Sequence, residues 1–220
     1  MKLKNFLLAI SLLILSTDLF AQQKEAYPFE NEIKDFKKMD AVRMPEKGGI
    51  LFVGSSSIRK WTDLESRFAD KPIIRRGVGG CQLSQIVDLY MDSIVYPYQP
   101  KKIFLYAGDN DLSAGQTADQ VVANFEKFYQ LVVTNNPKVK VYWMSVKLCN
   151  SRIKLLSRVT EVNKRIRAFL KTEKNGVYVD LTSVLLDAKG NPDDSLFEKD
   201  QLHLKPVGYD RWQEVLKKYL

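Results

Sequence analysis

The chain has 220 residues, with 34 Lys and Arg against 26 Asp and Glu and a formal charge of +8. That length predicts one domain with a real core. The basic residues are dispersed along stretches such as 152–174 and form no block, so they predict a solvated face, and a nucleic-acid partner is not expected.

The N-terminus reads as a targeting segment. Lys2 and Lys4 precede an apolar run over 6–15, and Leu19-Phe20-Ala21 offers a small residue for cleavage. The run is short for a bilayer span and Asp18 interrupts the apolar stretch, which predicts a removed secretory signal over 1–21 rather than an anchor. The mature chain would then be periplasmic or extracellular, with no stable membrane insertion, and would carry +7 after loss of Lys2, Lys4 and Asp18. The two cysteines, Cys81 and Cys149, could pair in such a compartment or remain as buried thiols.

Phe29, Ile33, Phe36 and Met39 recur at helical spacing and predict a first amphipathic helix. Pro45, Gly48 and Gly49 mark the connection out of it, so residues 22–48 are expected to form a helix and linker packed on a main domain over 49–220. Ile50-Leu51-Phe52-Val53 is an apolar run ended by Gly54 and predicts a buried strand. Ile58, Trp61, Leu64 and Phe68 predict a helix over 57–68. A second strand follows at 72–76, then a helix marked by Leu83, Ile86, Val87 and Tyr90. Strands at 103–106, 139–146 and 176–180 alternate with helices at 117–135 and 155–169. Pro206 opens a closing helix over 206–220, where its missing N–H costs nothing. This alternation predicts a doubly wound α/β domain around a five-stranded parallel sheet, with any site outside the carboxyl ends of the strands.

The strand ends carry the candidates. Ser55, Ser56 and Ser57 follow Gly54. A serine on a tight strand-to-helix turn is exposed at the sheet edge, with its own N–H near a forming oxyanion. The same serines suit a helix cap. A helix N-terminus also draws phosphate, although the lysine and second glycine of a P-loop are missing. Gly77-Val78-Gly79-Gly80-Cys81 ends the second strand, and its glycines permit close approach of backbone to a ligand or a simple turn. Gly108-Asp109-Asn110-Asp111 ends the third. Asn110 could donate its amide to the same oxyanion. The flanking aspartates suit a turn, or, with few oxygen donors, a cation less well. The chain has one histidine, His203, three residues after Asp200. Imidazole is the usual base near neutral pH, and a carboxylate at that distance can orient it. Arg59, Tyr106, Lys147 and Arg152 also lie near strand ends, as site borders or as structural groups.

Taken in order, Gly-x-Ser, a glycine turn, Gly-x-Asn-Asp and Asp-x-x-His resemble the SGNH hydrolases, also called the GDSL esterase/lipase family. The resemblance runs from about Leu51 to Trp212, and the first block, Phe-x-Gly-Ser-Ser-Ser-Ile-Arg, looks like that of bacterial members. It implies a three-layer, flavodoxin-like α/β/α fold. It implies Ser56 as nucleophile, His203 as base and Asp200 as the carboxylate that orients it. The N–H groups of Ser56 and Gly80 and the Asn110 amide are the implied oxyanion donors, with no metal or organic cofactor. The aspartate of the usual Gly-Asp-Ser is Ser55 here, which leaves Ser55 and Ser57 as rivals to Ser56. The implied activity is that of a serine esterase. Short connections without a lid-like apolar insertion favour short acyl groups, such as acetyl on a carbohydrate. The alternatives are a non-catalytic glycan- or anion-binding module on the same fold, or a phosphate-binding flavodoxin-like protein.

Overall fold

The computed structural model describes residues 27–220; the predicted signal segment lies outside the described residues. Five parallel strands form one sheet: β1 (Ile50–Gly54), β2 (Ile73–Gly77), β3 (Lys102–Tyr106), β4 (Lys140–Met144) and β5 (Gly176–Val179). Their order is β2-β1-β3-β4-β5, the flavodoxin-like doubly wound order. β1, β3 and β4 read as near-continuous apolar runs because both of their faces are covered. β2 and β5 form the edges and are only partly buried.

Alternate residues of the inner strands serve opposite layers, as the two-residue period of a strand requires. Leu51, Val53, Ile103, Leu105, Val141 and Trp143 pack on one face. There they meet α1 (Glu30–Val42), α4 (Leu83–Gln85), α5 (Met91–Ile94), α6 (Asp109–Ser113), α7 (Ala118–Asn135) and α8 (Leu156–Leu170). Ile50, Phe52, Phe104, Tyr106, Tyr142 and Met144 pack on the other, against α2 (Ser56–Arg59), α3 (Leu64–Arg67) and α9 (Pro206–Leu216). On that face Phe52, Phe104 and Tyr142 are in register across three strands, and their rings stack at 4.6 and 4.4 Å. Thr117 caps α7 through a reciprocal pair of bonds with Gln120.

Two segments depart from the sequence expectation. The helix expected over 57–68 is two short turns, α2 and α3, although Ile58, Trp61, Leu64 and Phe68 are all buried as expected. The chain breaks at 60–63, where Thr62 and Asp63 are poor helix-interior residues. The Asp63 side chain accepts from Arg67 Nε at 2.8 Å, and Trp61 stacks on Tyr209 of α9 at 4.9 Å. The helix expected from Leu83 contains a π-helical turn over Ile86–Tyr90 and extends to Ile94.

α1 docks by apolar and polar contacts together. Ile33 is 5% exposed in the core. Asp40 accepts from Arg76 Nη2 of β2 at 2.5 Å and from the Tyr98 hydroxyl at 2.6 Å. Met39, which shares the spacing of Ile33 and Phe36, is exposed. Cys81 and Cys149 are both free and buried, and burial pushes the Cys81 thiol up. Among the described residues no helix is long and apolar enough to cross a membrane.

Candidate active site

The site begins where β1 ends. Gly54 sits at φ +147°, and a Cβ there would lie 1.9 Å from the Tyr106 carbonyl oxygen of β3, so only glycine lets the two strand ends close. The next N–H, of Ser55, donates to that same carbonyl at 2.9 Å, and Val78 N–H donates to Gly54 O at 2.8 Å. The turn is therefore locked to both neighbouring strands before α2 starts.

The three serines then part company. Ser55 is fully buried, and its hydroxyl has no protein partner among the described residues. Ser57 is 1% exposed and accepts a hydrogen bond from Lys147 Nζ at 3.1 Å. Ser56 alone is partly exposed, and its Oγ lies 2.9 Å from His203 Nε2. The structure thus brings the single histidine to Ser56 and to neither rival.

His203 and Asp200 share a tight loop before α9. Phe197 and Leu204 pair across its base, Glu198 N–H donates to His203 O at 2.7 Å, and Gln201 turns the tip in the left-handed region at φ 51°. One Asp200 oxygen accepts the N–H groups of Leu202 and His203 at 3.0 and 2.9 Å, which builds the turn. The other lies 2.6 Å from His203 Nδ1. Burial alone would raise the Asp200 pKa. The bonds from the His203 ring and from the two backbone N–H groups outweigh it and hold the carboxyl well below its ordinary range. An ionised carboxylate only accepts, so Nδ1 carries the proton and Nε2 presents its lone pair to the Ser56 hydroxyl.

The other predicted donors converge from the ends of β2 and β3. Gly80 lies in a turn at φ +80°. Among the described residues neither the Ser56 nor the Gly80 backbone N–H donates to a protein acceptor. The Asn110 amide is held at both ends. Arg152 Nη2 donates to its Oδ1 at 2.8 Å, and one hydrogen of its Nδ2 goes to Cys81 O at 3.0 Å, which leaves the second hydrogen for another acceptor. The aspartates beside it are committed elsewhere. Asp111 accepts the N–H groups of Leu83 and Ser84 at 2.8 and 3.3 Å, at the start of α4. Burial pushes its pKa up, against those backbone bonds. Asp109 faces Lys147 at 3.5 Å and Arg152 at 3.3 Å. Among the described residues no three His, Cys, Asp or Glu side chains gather as a metal site.

Of the four bordering residues read from the sequence, Tyr106, Lys147 and Arg152 lie beneath or beside the site. Arg59 packs its guanidinium over Gly79 of the glycine turn and donates to Glu32 of α1 at 3.3 Å. Two further groups carried no local signal in the sequence. Glu32 accepts the Gly79 N–H at 3.1 Å and so pins the glycine turn from 47 residues away. The Tyr209 hydroxyl of α9 donates to Ser57 O at 2.9 Å and ties the closing helix to the serine turn. A separate groove of about 700 Å³, lined by Thr160, Lys164, Arg167, Lys171 and Tyr178, contains none of these groups.

The model of the GDSL-like lipase/acylhydrolase family matches residues 52–211, a span that holds Ser56, Gly80, Asn110, Asp200 and His203. The chain belongs to this family of SGNH hydrolases. No curated protein matches this GDSL-like chain. Its fold is similar to that of a GDSL-like lipase from Bacteroides thetaiotaomicron, with a TM-score of 0.74 and 21% identity over 85% of this chain and 96% of that one. It is also similar to a member of the lipolytic G-D-S-L family from Veillonella parvula, with a TM-score of 0.62 and 21% identity over 77% and 96% of the two chains. A carbohydrate esterase family 3 protein from Talaromyces cellulolyticus gives a TM-score of 0.63 at 15% identity, over 78% and 95%. The GDSL-like family carries ester hydrolysis in general, and these structural likenesses carry the three-layer fold.

Proposed function

We propose that this GDSL-like chain is an exported serine esterase that removes short acyl groups, with acetyl esters of carbohydrate as the first class to test. One observation carries the reading: Ser56 Oγ, His203 Nε2 and Nδ1 and the ionised Asp200 form one unbroken series at 2.9 and 2.6 Å. That series is a proton path from a hydroxyl to an imidazole whose tautomer is fixed.

Ser56 Oγ attacks the ester carbonyl carbon while His203 Nε2 takes its proton. The carbonyl oxygen, now negative, is met by the N–H groups of Ser56 and Gly80 and by Asn110 Nδ2. The bond to the alcohol then breaks, and His203 returns the proton to the leaving oxygen. Water attacks the acyl-Ser56 by the same route in reverse, with His203 again as base, and the carboxylic acid leaves. No step requires a metal or organic cofactor. Export rests on the N-terminal segment over 1–21, and the choice of a small acyl group on the short connections around the strand ends. A carbohydrate esterase and an acetyl esterase among the fold neighbours support testing acetylated glycans first.

The experiment is turnover of a short-chain aryl ester, followed by acetate release from acetylated polysaccharides compared with longer-chain esters. Ser56→Ala and His203→Ala should each lose about 10⁴-fold or more in kcat while unfolding near the wild-type temperature. Full activity in either folded variant would refute the proposal. Binding of a glycan or an anion without any turnover would favour a non-catalytic module.

A further inference from the structure

A buried charge cluster lies beneath the ends of β1, β3 and β4. The Lys147 side chain follows β4 and is 1% exposed. Its ammonium donates to Ser57 Oγ at 3.1 Å and to Tyr106 Oη at 2.9 Å, and faces Asp109 Oδ2 at 3.5 Å. Asp109, whose side chain is 7% exposed, also faces Arg152 Nη1 at 3.3 Å. Arg152 Nη2 completes the path by donating to Asn110 Oδ1. Burying a lysine and a carboxylate costs several kcal/mol per ion before their attraction returns it. Apolar packing would fill the same space without that cost, so the cluster calls for a reason beyond filling the core.

Its attachment points supply the reason. Lys147 grips Ser57, the residue after Ser56, and Asp109, the residue before Asn110. It therefore ties the end of β1 to the end of β3 from beneath, next to Ser56 and Asn110. Arg152 fixes the Asn110 amide with its oxygen toward the guanidinium and its nitrogen the other way. Two cations share the one carboxylate of Asp109, and Asp111, the next acid, accepts backbone N–H groups instead.

We propose that Lys147, through Ser57 and Asp109, and Arg152, through Asn110, are positioning residues that set the oxyanion donor Asn110 against Ser56. The inference rests on the serine-esterase reading above. Burial works against the lysine charge, but the Asp109 carboxylate and the hydrogen bond to the Tyr106 oxygen act the other way and raise its pKa. Burial pushes the Tyr106 phenol up to about 12, so it keeps its proton and lies 3.4 Å from Asp109 as a donor.

The test compares Lys147→Met, Arg152→Met and Arg152→Lys with the wild type on one aryl ester, with thermal unfolding and a fluorophosphonate label run alongside. Misplacing a donor by about 1 Å costs on the order of 100-fold. Lys147→Met and Arg152→Met should therefore lose about 10- to 100-fold in kcat with KM within about twofold, and a trifluoromethyl ketone inhibitor should weaken in proportion. Arg152→Lys should recover only part of the loss, because an ammonium cannot fork to both Asp109 and Asn110. Should Lys147→Met fail to fold, the Arg152 position, whose side chain is less buried, carries the same test. Variants with a lowered unfolding temperature but wild-type kcat and inhibitor affinity would make the cluster structural only and overturn the inference. A wild type that neither turns over ester nor labels at Ser56 would instead remove the esterase reading beneath it.

Discussion

At the scale of single residues, the decisive fact is that three adjacent serines have three different environments. Only Ser56 reaches the imidazole; Ser57 faces a buried lysine and Ser55 faces the core. Asn110→Ala should leave the fold intact and cost about 10²- to 10³-fold in kcat on an aryl ester, since it removes one side-chain donor. Asp200 gives a pH prediction. Its carboxyl is held far below its ordinary range by the His203 and Leu202 bonds, against the opposing effect of burial. A group depressed on folding stabilises the native chain above its unfolded value of about 3.9 and loses that contribution as pH falls toward the folded value. The unfolding-temperature gap between wild type and Asp200→Asn should thus shrink as pH falls below about 4. A gap that widened on acidification would contradict the assignment. The Asp200–His203 pair was legible in the sequence because three residues on one loop set its contact. The Lys147–Ser57 bond spans 90 residues and exists only once β1 and β4 share a sheet, so no local pattern announced it.

At the scale of elements, the strands and long helices followed from apolar runs and periodicity because each buries a whole face. The region 57–68 kept its apolar spacing yet not its helix. Spacing reports which side chains are buried, and here Trp61 is buried by stacking on α9 rather than by an unbroken helix. α1 shows the same limit: Ile33 was readable as core, whereas the Glu32 bond to Gly79 links two segments that meet only in the fold. Ile33→Ala should cost about 2–5 kcal/mol in urea unfolding if α1 is integral to the domain. A cost below about 0.5 kcal/mol would mean a loosely attached helix. At the β1 turn, Gly54→Ala forces a methyl within 1.9 Å of the Tyr106 carbonyl in a conformation that alanine disfavours. It should destabilise by at least about 2 kcal/mol and abolish activity together.

At the scale of the whole molecule, the proposed donors and the proposed base come from loops after β1, β2 and β3 and before α9, so no single segment holds the candidate site. The doubly wound order sends all of these loops to one edge, which is why four ordered blocks of sequence pointed at once to the fold and to one candidate site. Activity should then be a property of the intact domain. Trp61, Trp143 and Trp212 are all fully buried and lie on both sides of the sheet. Their fluorescence and the loss of esterase activity should follow one coincident urea transition. The most direct test of the central claim is to treat the folded protein with a fluorophosphonate and locate the adduct by peptide mass spectrometry. The account predicts one adduct, on Ser56, absent in Ser56→Ala and strongly slowed in His203→Ala. An adduct on Ser55 or Ser57, or none on the wild-type protein, would contradict it.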